Sequence, residues 1–512
     1  MGRLFFLALV GLLAHSAPGF GRPEPAAVFQ DAMVLQRSVP VPVWGTAAPG
    51  EEVAVEFAGQ RKVGRSDAKG NWAVKLDPLA AAAEGRDLTI TAGRPVRLRD
   101  VVVGEVWVAA GQSNMEWPLA KEAHAAAELP RADLPAVRLL NLAYAGQNFF
   151  AKPFDRDVLS RLTPGGYFRG AWRPCSPASA GEFSAIGYYF AKEVQKTVGV
   201  PVGVIHLAVG GSPTEAWVRP GALAGDDTLR PLLAGNWLEN KALAGWCRQR
   251  ALENLGPAPG GGGADATGPN HPFKPGFLWD AGVARLIPFP VRGVLWYQGE
   301  SNALDADRVR QHDRLFRILV ADWRRQWGLG DFPFLFCQLS SVGTGGGYKS
   351  HYWPEFRDAQ RRALADIPNA GMVVTSDLGH PTDVHPRNKR DVGHRLTLCA
   401  AAQVYGKKIP FSGPLVKSAR RERSTLVVTF DHADGGLKTR ADEPATGFEV
   451  AGPDGAFRPA EVALAGDTVS LSVGGLDAPT AARYGWQPYS RGNLTNGAGL
   501  PASTFVTTAA PK

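Results

Sequence analysis

The alternation of hydrophobic and polar positions divides this chain into three parts. Up to about residue 99, short strand-like runs such as Glu52–Phe57 and Trp72–Leu76 are separated by turn sequences, which is typical of a small β-sandwich. From residue 101 to about 406, apolar strands such as Val202–Ala208 alternate with stretches of helical spacing such as Gln311–Trp327. Short β runs return after residue 408.

Apolar strands that alternate with helices indicate a parallel sheet with helices packed on both faces. We therefore predict an α/β fold with N-terminal and C-terminal β-sandwich-like modules. The expected boundaries are 21–99 for the first module, 100–408 for the α/β domain and 409–512 for the last module. An insertion near the site is expected around 220–275, because GPAPGGGGADATGPN at 256–270 has the composition of a flexible loop.

The first twenty residues have the layout of a secretory signal peptide. Arg3 precedes the apolar run Leu4–Ala14, and small residues follow at Ala17 and Gly19. The run is too short to span a bilayer, and no later segment is long and apolar enough to do so. We expect a secreted or periplasmic protein, with a single N-terminal membrane anchor as the alternative.

Charge and cysteine content narrow the range of partners. The net charge of +8 is the balance of 56 basic and 48 acidic residues spread along the chain, so no nucleic-acid partner is expected. The densest basic cluster, Lys417–Arg423, is short and is typical of a solvated face. The cysteines at 175, 247, 337 and 399 fit no metal-binding spacing, and they allow one disulfide without requiring any.

One serine is predicted to lie at the carboxyl edge of the sheet, where active sites of α/β proteins usually lie. The strand Val106–Ala110 ends at Gly111, and Ser113 follows at once in GQSNM. This order presents a hydroxyl at the carboxyl edge of the sheet. Taken alone, Ser113 would be a helix cap. A serine becomes a nucleophile only when a base takes its proton and donors hold the developing oxyanion.

The base candidate is His385 in DVHP, where Asp383 lies two residues earlier and can orient the imidazole. Asp377, His380 and His394 lie in the same segment, so a metal site is an alternative interpretation. Because no second ligand cluster of comparable spacing exists elsewhere in the sequence, we do not expect a metal. Catalysis by a serine and a histidine requires no organic cofactor either.

Two segments offer donors for an oxyanion. A buried strand runs into Gly210 and Gly211, whose backbone N–H groups can approach a ligand closely. Asn302 follows another strand in WYQGESN and offers a side-chain amide. Alone, the glycine pair would more often be a turn and Asn302 a cap.

Four ordered motifs together carry a family resemblance. GQSNM at 111–115, VGGSPTEAW at 209–217, WYQGESNA at 296–303 and DVHPRNKRDVGHRL at 383–396 resemble the sialate O-acetylesterase family of SGNH hydrolases. The resemblance extends to FQDAMVLQRSVPVPVWG at 29–45 and to the β-rich tail, and so covers nearly the whole chain after residue 20. It implies a three-layer α/β/α fold and hydrolysis of acetyl esters on sugars through an acyl-serine intermediate.

The resemblance also implies roles for individual residues. Many SGNH hydrolases carry the orienting acid three residues before the histidine, whereas here it lies two before, so Asp377 is the fallback for that role. By motif, the nucleophile is Ser113, the base His385, the orienting acid Asp383, and the oxyanion donors are Ser113, Gly211 or its neighbour Gly210, and Asn302.

The expected substrate is an acetylated glycan or oligosaccharide, and the sequence defines its identity less closely than it defines the reaction. Trp279–Leu286 and the Gly-rich region before it depart from the family pattern, and such loops border the acyl acceptor. The substrate therefore stays open between sialic acid and plant polysaccharides. The residues expected to bind substrate are Gln112, Gln298, Glu300, Trp117 and Trp217, with Tyr348–Trp353 as a further candidate sugar platform.

Two other functions remain compatible with the sequence. A carbohydrate-binding protein with an inactive site would bind glycans without releasing acetate. A lipid or lysophospholipid esterase of the same superfamily would hydrolyse long-chain esters, and a continuous apolar lid would support it. The sequence does not define the oligomeric state.

Overall fold

A computed structural model describes residues 22–256, 263–345 and 348–509 of the chain. The predicted signal segment and the glycines at 260–262 of the Gly-rich run lie outside these ranges. Across the described ranges, no helix is both long and apolar enough to cross a membrane.

The N-terminal part is built from β-strands, as the alternating pattern predicts. Strand β8 is 18 residues long; its first half pairs antiparallel with β7, and its second half enters the central sheet. The boundary predicted at residue 99 therefore falls inside one continuous strand. The strands are β1 (Glu24–Pro25), β2 (Val34–Gln36), β3 (Val41–Thr46), β4 (Glu52–Phe57), β5 (Gln60–Arg65), β6 (Asn71–Leu76), β7 (Ala82–Ala92) and β8 (Arg94–Gly111).

A parallel sheet forms the centre of the molecule. Its strand order is β9-β13-β8-β16-β17-β18, with β12 antiparallel at the β9 edge. The strands here are β9 (Leu134–Asn141), β10 (Ala143–Tyr144), β11 (Phe168–Arg169), β12 (Trp172–Cys175), β13 (Val202–Ala208), β14 (Ala264–Asp265), β15 (Gly268–Pro269), β16 (Gly293–Tyr297), β17 (Phe334–Gln338) and β18 (Ala370–Val374).

Helices lie between and beside these strands. Ser184 caps α5 by accepting from the Gly187 N–H, and Asp305 caps α9 in the same way. The helices are α1 (Ser113–Glu116), α2 (Ala125–Glu128), α3 (Arg156–Ser160), α4 (Pro177–Gly181), α5 (Ala185–Val198), α6 (Pro220–Ala224), α7 (Gly245–Leu255), α8 (Ala284–Leu286), α9 (Ala306–Trp327), α10 (Trp353–Asp366) and α11 (Arg390–Gln403).

The central strands are buried on both faces, which explains their continuous apolar sequences. Along β8, Val108 and Ala110 enter one hydrophobic core, whereas Trp107 and Ala109 enter a second core. Helix α9 packs its apolar side into the first core, and α5 and α11 pack together in the second. Because the strands are parallel, their carboxyl ends open on one edge of the sheet.

The C-terminal part has two four-stranded antiparallel sheets, a two-stranded ribbon and its own hydrophobic core. It contacts the α/β part through buried Arg357 on α10, whose guanidinium donates to the Gly485 and Gln487 carbonyls. The strands are β19 (Leu415–Glu422), β20 (Thr425–Asp431), β21 (Leu437–Thr439), β22 (Phe448–Ala451), β23 (Phe457–Pro459), β24 (Glu461–Ala465), β25 (Thr468–Ser472), β26 (Ala481–Tyr484), β27 (Leu494–Asn496) and β28 (Phe505–Thr508).

Two features of the fold differ from or complete the sequence interpretation. Between the predicted strands Val106–Ala110 and Val202–Ala208, the structure has two further strands of the central sheet, β9 and β12, that the pattern does not reveal. The four cysteines are all buried and free, so the disulfide that the sequence allows is absent among the described residues.

Candidate active site

Ser113 and His385 meet at the carboxyl edge of the sheet. The Nε2 atom of His385 lies 2.8 Å from the Ser113 hydroxyl, the distance of a good hydrogen bond. The two residues are 272 positions apart in sequence. The fold therefore brings the predicted nucleophile and base into direct contact.

The turn that presents Ser113 requires glycine at position 111. Gly111 has φ +138°, and a Cβ there would lie 2.1 Å from the Tyr297 carbonyl oxygen. The close approach of β16 thus excludes any side chain at this point. Helix α1 begins at Ser113, where the first backbone N–H groups have no partner within the helix.

Asp383 is placed beside His385 at a distance too long for a hydrogen bond to its ring. Its Oδ1 atom is 3.7 Å from Nδ1 of His385 and accepts from the His385 backbone N–H at 2.8 Å. Asp377, the fallback acid, instead forms a two-armed ion pair with Arg395 at 2.7 Å for each contact. The structure therefore brings Asp383, and not Asp377, to the histidine.

The residues behind the metal alternative do not converge in the structure. His394 pairs with Glu193 at 2.9 Å, and Asp377 is occupied by Arg395. Within the described ranges, no three His, Cys, Asp or Glu side chains gather to hold a metal ion.

The glycine pair lies beside the serine, and its two members differ. Gly211 has φ +73°, and a Cβ there would come within 3.0 Å of the Phe273 and Phe150 rings. Its carbonyl accepts from the Ser301 hydroxyl at 2.9 Å, and its N–H takes no backbone partner among the described residues. Gly210 instead faces the Glu116 carboxylate, since a Cβ at position 210 would lie 3.0 Å from its Oε2 atom.

Asn302 and Gln298 lie in a buried polar network behind the site. Asn302 is 1% exposed and donates from Nδ2 to Glu215 at 3.0 Å, while its Oδ1 accepts from Gln298 and from the Thr214 N–H. Glu215 is in turn paired with Arg308. The Asn302 amide is therefore turned away from the cavity that Ser113 lines, contrary to its predicted role as an oxyanion donor.

Gln112 offers an amide on the cavity wall itself. Its Oε1 accepts from the backbone N–H groups of Gly299 and Ser301 at 3.3 and 3.4 Å. Among the described residues, its Nε2 group has no partner, and the side chain lines the same cavity as Ser113. The amide oxygen is thus fixed by the loop after β16, and the amide donor is left for a ligand.

Ser113 and His385 open into a cavity of about 410 Å³. One part of its wall is formed by residues that follow the ends of strands. The other part, here called the loop wall, is formed by the loop near residue 147 and by α7. Phe150 is 53% exposed, and the Arg250 guanidinium lies 4.4 Å from its ring centre. The other lining residues are Gln112, Glu116, Tyr144, Gln147, Gly210, Gly211, Trp246, Glu300, Ser301, Leu304, Tyr348 and Val384.

The two tryptophans predicted to bind sugar have other positions. Trp217 is 0% exposed in the core and donates from Nε1 to the Ser212 hydroxyl at 2.9 Å, so no sugar can stack on it. Trp117 stacks on His385 behind the site, with ring centres 5.4 Å apart. Of the candidate platform at 348–353, Tyr348 lines the cavity and Trp353 is buried.

The sequence interpretation missed the loop wall because its residues carry no motif. Phe150, Trp246 and Arg250 lie in stretches without clear periodicity. A signal existed only for the last two, since α7 falls within the predicted insertion at 220–275.

Burial shifts the pKa values of several groups at the site, among them His385 and Glu116. It lowers the pKa of His385 to about 4; the Lys389 charge acts in the same direction, and Asp383 opposes it. Burial raises the pKa of Glu116, against hydrogen bonds from Gln147, Tyr144 and the Gly210 N–H. A histidine that stays neutral at ordinary pH can accept a proton from Ser113.

Known proteins share this sequence and fold. The family described as carbohydrate esterase, sialic acid-specific acetylesterase, matches residues 279–401. The sialate O-acetylesterases of Mus musculus and Homo sapiens are each 28% identical to the chain, and each match includes 79% of the chain. The matched parts make up 78% of the Mus musculus protein and 75% of the Homo sapiens protein. A novel carbohydrate acetylesterase from Xanthomonas citri is 35% identical, with a TM-score of 0.78, over 95% of this chain and 99% of its own.

The chain belongs to the sialate O-acetylesterase family. It is a carboxylic-ester hydrolase, as the resemblance of its four motifs implies. The match over 99% of the Xanthomonas citri enzyme shows that the esterase shares the β-rich flanking parts as well as the central sheet with that relative.

Proposed function

We propose that the esterase is an exported enzyme of the three-layer α/β/α SGNH type, flanked by two β modules, that removes acetyl groups from sugar hydroxyls through an acyl-serine intermediate. The observation that carries the proposal is the 2.8 Å contact between Ser113 and His385 at a cavity wall. Export rests on the sequence of residues 1–20 alone.

The reaction follows from this contact. His385 takes the Ser113 proton as the serine oxygen attacks the acetyl carbonyl carbon, and the ring then protonates the leaving sugar oxygen. Water, activated by the same imidazole, attacks the acetyl-serine and releases acetate. Asp383 holds the segment of His385 through the backbone N–H and lies close enough to favour the imidazolium that forms transiently.

Three donors surround the position of the oxyanion. The backbone N–H groups of Ser113 and Gly211 are two of them, as the motifs imply. For the third we propose the Nε2 group of Gln112 in place of Asn302, because Gln112 lines the cavity and Asn302 donates to Glu215. Preorganised donors of this kind stabilise the transition state without reorganisation.

The cavity wall supports a sugar as the leaving group. Phe150 and Trp246 offer aromatic surface, and Glu116, Gln147 and Arg250 offer polar groups beside it. Such a mixture suits a ring with hydroxyls on its edge and C–H groups on its face better than a long acyl chain. Relatives described as carbohydrate and sialate acetylesterases support the same substrate class.

The test is the Ser113→Ala variant, assayed with a chromogenic acetyl ester and by mass-spectrometric detection of acetate loss from acetylated sialosides, xylans and other hemicelluloses. We expect turnover to fall by at least about 10⁴-fold and labelling by a serine-directed phosphonate to disappear. Ser179→Ala, in the capping box of α4, serves as the control and should keep full activity.

Two results would contradict the proposal. The first is turnover by purified Ser113→Ala within about tenfold of the wild type, which would exclude an acyl-Ser113 intermediate. The second is binding of acetylated glycans by the wild type without acetate release, which would favour a binding protein.

A further inference from the structure

Three loops of the site meet at one buried amide, that of Asn114. This residue follows Ser113 directly and is 0% exposed. Its Nδ2 group donates to Oε1 of Glu300 at 2.5 Å and to the Val384 carbonyl at 3.0 Å. Because Val384 precedes His385, the amide ties the serine turn to the histidine segment and to the loop after β16.

The other end of the amide binds a buried lysine. The Nζ group of Lys389 donates to Oδ1 of Asn114, and Lys389 is also 0% exposed. An amide can rotate by half a turn and exchange its oxygen and nitrogen. Here the exchange would set the carbonyl against the Glu300 carboxylate and the NH₂ group against the ammonium, so the two charges fix the orientation of the amide.

The same lysine is close to the imidazole. Its ammonium lies 5.6 Å from the centre of the Trp117 ring, and this indole stacks on His385. The Tyr297 ring lies 6.0 Å away on another side. The titratable groups that face Lys389 from the elements packed around it are Glu300, Cys337, Asp383 and Glu122, and those that face His385 are Lys389 and Asp383.

We propose that Lys389 is a positioning residue, which holds the Asn114 amide in the one orientation that keeps Ser113 and His385 in register. This inference rests on the proposed function of that pair. Removing the ammonium would leave the Oδ1 end of the amide without its donor and would loosen the hold of the Nδ2 group on the Val384 carbonyl, and with it the position of the His385 ring. Loss of the positive charge would also favour the imidazolium form of His385.

Two variants separate these effects. Lys389→Met removes both the hydrogen bond and the charge, whereas Lys389→Gln removes the charge and keeps an N–H donor on a side chain that is one bond shorter. For Lys389→Met we expect kcat on an acetyl ester to fall by about 10²-fold, the cost of a small misplacement of reacting groups, with KM within about threefold. In both variants the acid limb of kcat/KM should move up by about half a pH unit to one unit, because the histidine becomes easier to protonate.

Lys192→Met is the matched control. Lys192 is a largely buried lysine paired with Glu128 on α2, away from the cavity. It should lower the melting temperature while kcat and the pH profile stay as in the wild type. If Lys389→Met does not fold, the pH profile of Lys389→Gln decides.

The inference is overturned if Lys389→Met loses only thermal stability, as Lys192→Met does, or if the acid limb of the folded Lys389 variants does not move. A failure of the proposed function would give a different result: the single variant Ser113→Ala, with Lys389 unchanged, would then keep its activity.

Discussion

The two walls of the active-site cavity are held in different ways. One wall, here called the strand-end wall, consists of Ser113, Gly211 and Ser301, which follow the ends of strands of the central sheet. Hydrogen bonds such as that from the Ser301 hydroxyl to the Gly211 carbonyl connect its segments. The opposite wall, the loop wall, is formed by the loop near residue 147 and by α7, and its residue Phe150 is 53% exposed. The sheet therefore fixes the residues that carry out the reaction, whereas the longer connecting segments line the part of the cavity that receives the substrate.

Glu116 joins the two walls. It belongs to the first turn after Ser113, yet its carboxylate accepts from Tyr144 at 3.1 Å and from Gln147 at 3.1 Å, both on the loop wall. The loop wall is otherwise stabilised by the stacking of Arg250 on Phe150 and by the ion pair of Arg250 with Glu253. If the two walls have separate tasks, variants in each should change different kinetic constants.

The largest effect is expected at the strand-end wall, for His385→Gln. Without a base, the Ser113 hydroxyl keeps its proton, and kcat should fall by about 10⁴-fold or more on every acetyl ester. Steady-state assays with a chromogenic ester measure this. His394→Gln, on α11 and paired with Glu193, is the control; equal losses in the two variants would remove His385 from the mechanism.

Gln112→Glu tests the proposed third oxyanion donor. The glutamate keeps an oxygen for the Gly299 and Ser301 N–H groups, but it replaces the donor with a second oxygen. We expect kcat to fall by about 10²- to 10³-fold, the cost of losing one oxyanion donor, with little change in KM.

The comparison for this variant is the double variant Asn302→Asp with Glu215→Gln, which exchanges amide and carboxylate and can keep their hydrogen bond. It should retain kcat within about threefold. If the double variant loses as much activity as Gln112→Glu, Asn302 is the donor after all.

The contrast between the walls also explains what the sequence can predict. Ser113, Gly211 and His385 each follow a strand whose apolar run is visible in the sequence, and a parallel sheet must bring such positions to one edge. Asn302 follows a strand in the same way, yet its amide is turned to Glu215 by contacts across 87 residues. A motif therefore locates a residue, but the direction of its side chain depends on partners far along the chain.

Tertiary contacts also decide the positions of the aromatic residues. Trp217 ends one of the four motifs and Trp117 follows another by two residues, but Trp217 lies in the core and Trp117 lies behind His385. Phe150 and Trp246 have no motif and line the cavity. Strand β9 lies beside the edge strand β12 of the sheet, and no motif marks its position in the sequence.

Phe150→Ala should affect recognition and leave the chemistry intact. If the ring buries about 20–60 Å² of apolar surface against the sugar, at about 25 cal/mol per Å² its loss costs about 0.5–1.5 kcal/mol, so KM for an acetylated oligosaccharide should rise by about two- to tenfold. The kcat/KM value for a small chromogenic ester should stay within about twofold, because that substrate lacks the sugar ring that Phe150 is proposed to contact.

Trp217→Phe is the counterpart of this variant in the core. It removes the hydrogen bond to Ser212 and should lower thermal stability without changing KM for the oligosaccharide. A selective rise in KM for Trp217→Phe, with none for Phe150→Ala, would reverse the assignment of the sugar-binding wall.

The pH dependence of the wild type gives the smallest expected change over the ordinary range. The base must be neutral, and burial, helped by Lys389, lowers the pKa of His385 to about 4. Below that pH the imidazole is protonated, so kcat/KM should fall about tenfold per pH unit, whereas above it a plateau should begin near pH 5. Burial lowers the pKa of Lys389 to about 7, so kcat/KM should decline again as the pH rises through that value and the ammonium that positions Asn114 loses its proton. Glu116 also titrates at the cavity with a raised pKa, so Glu116→Gln should keep the same acid limb if that limb belongs to His385. An acid limb near pH 6.5 in both proteins would mean that the imidazole is solvated and not held against Trp117, and that the strand-end wall is less rigid than its hydrogen bonds indicate.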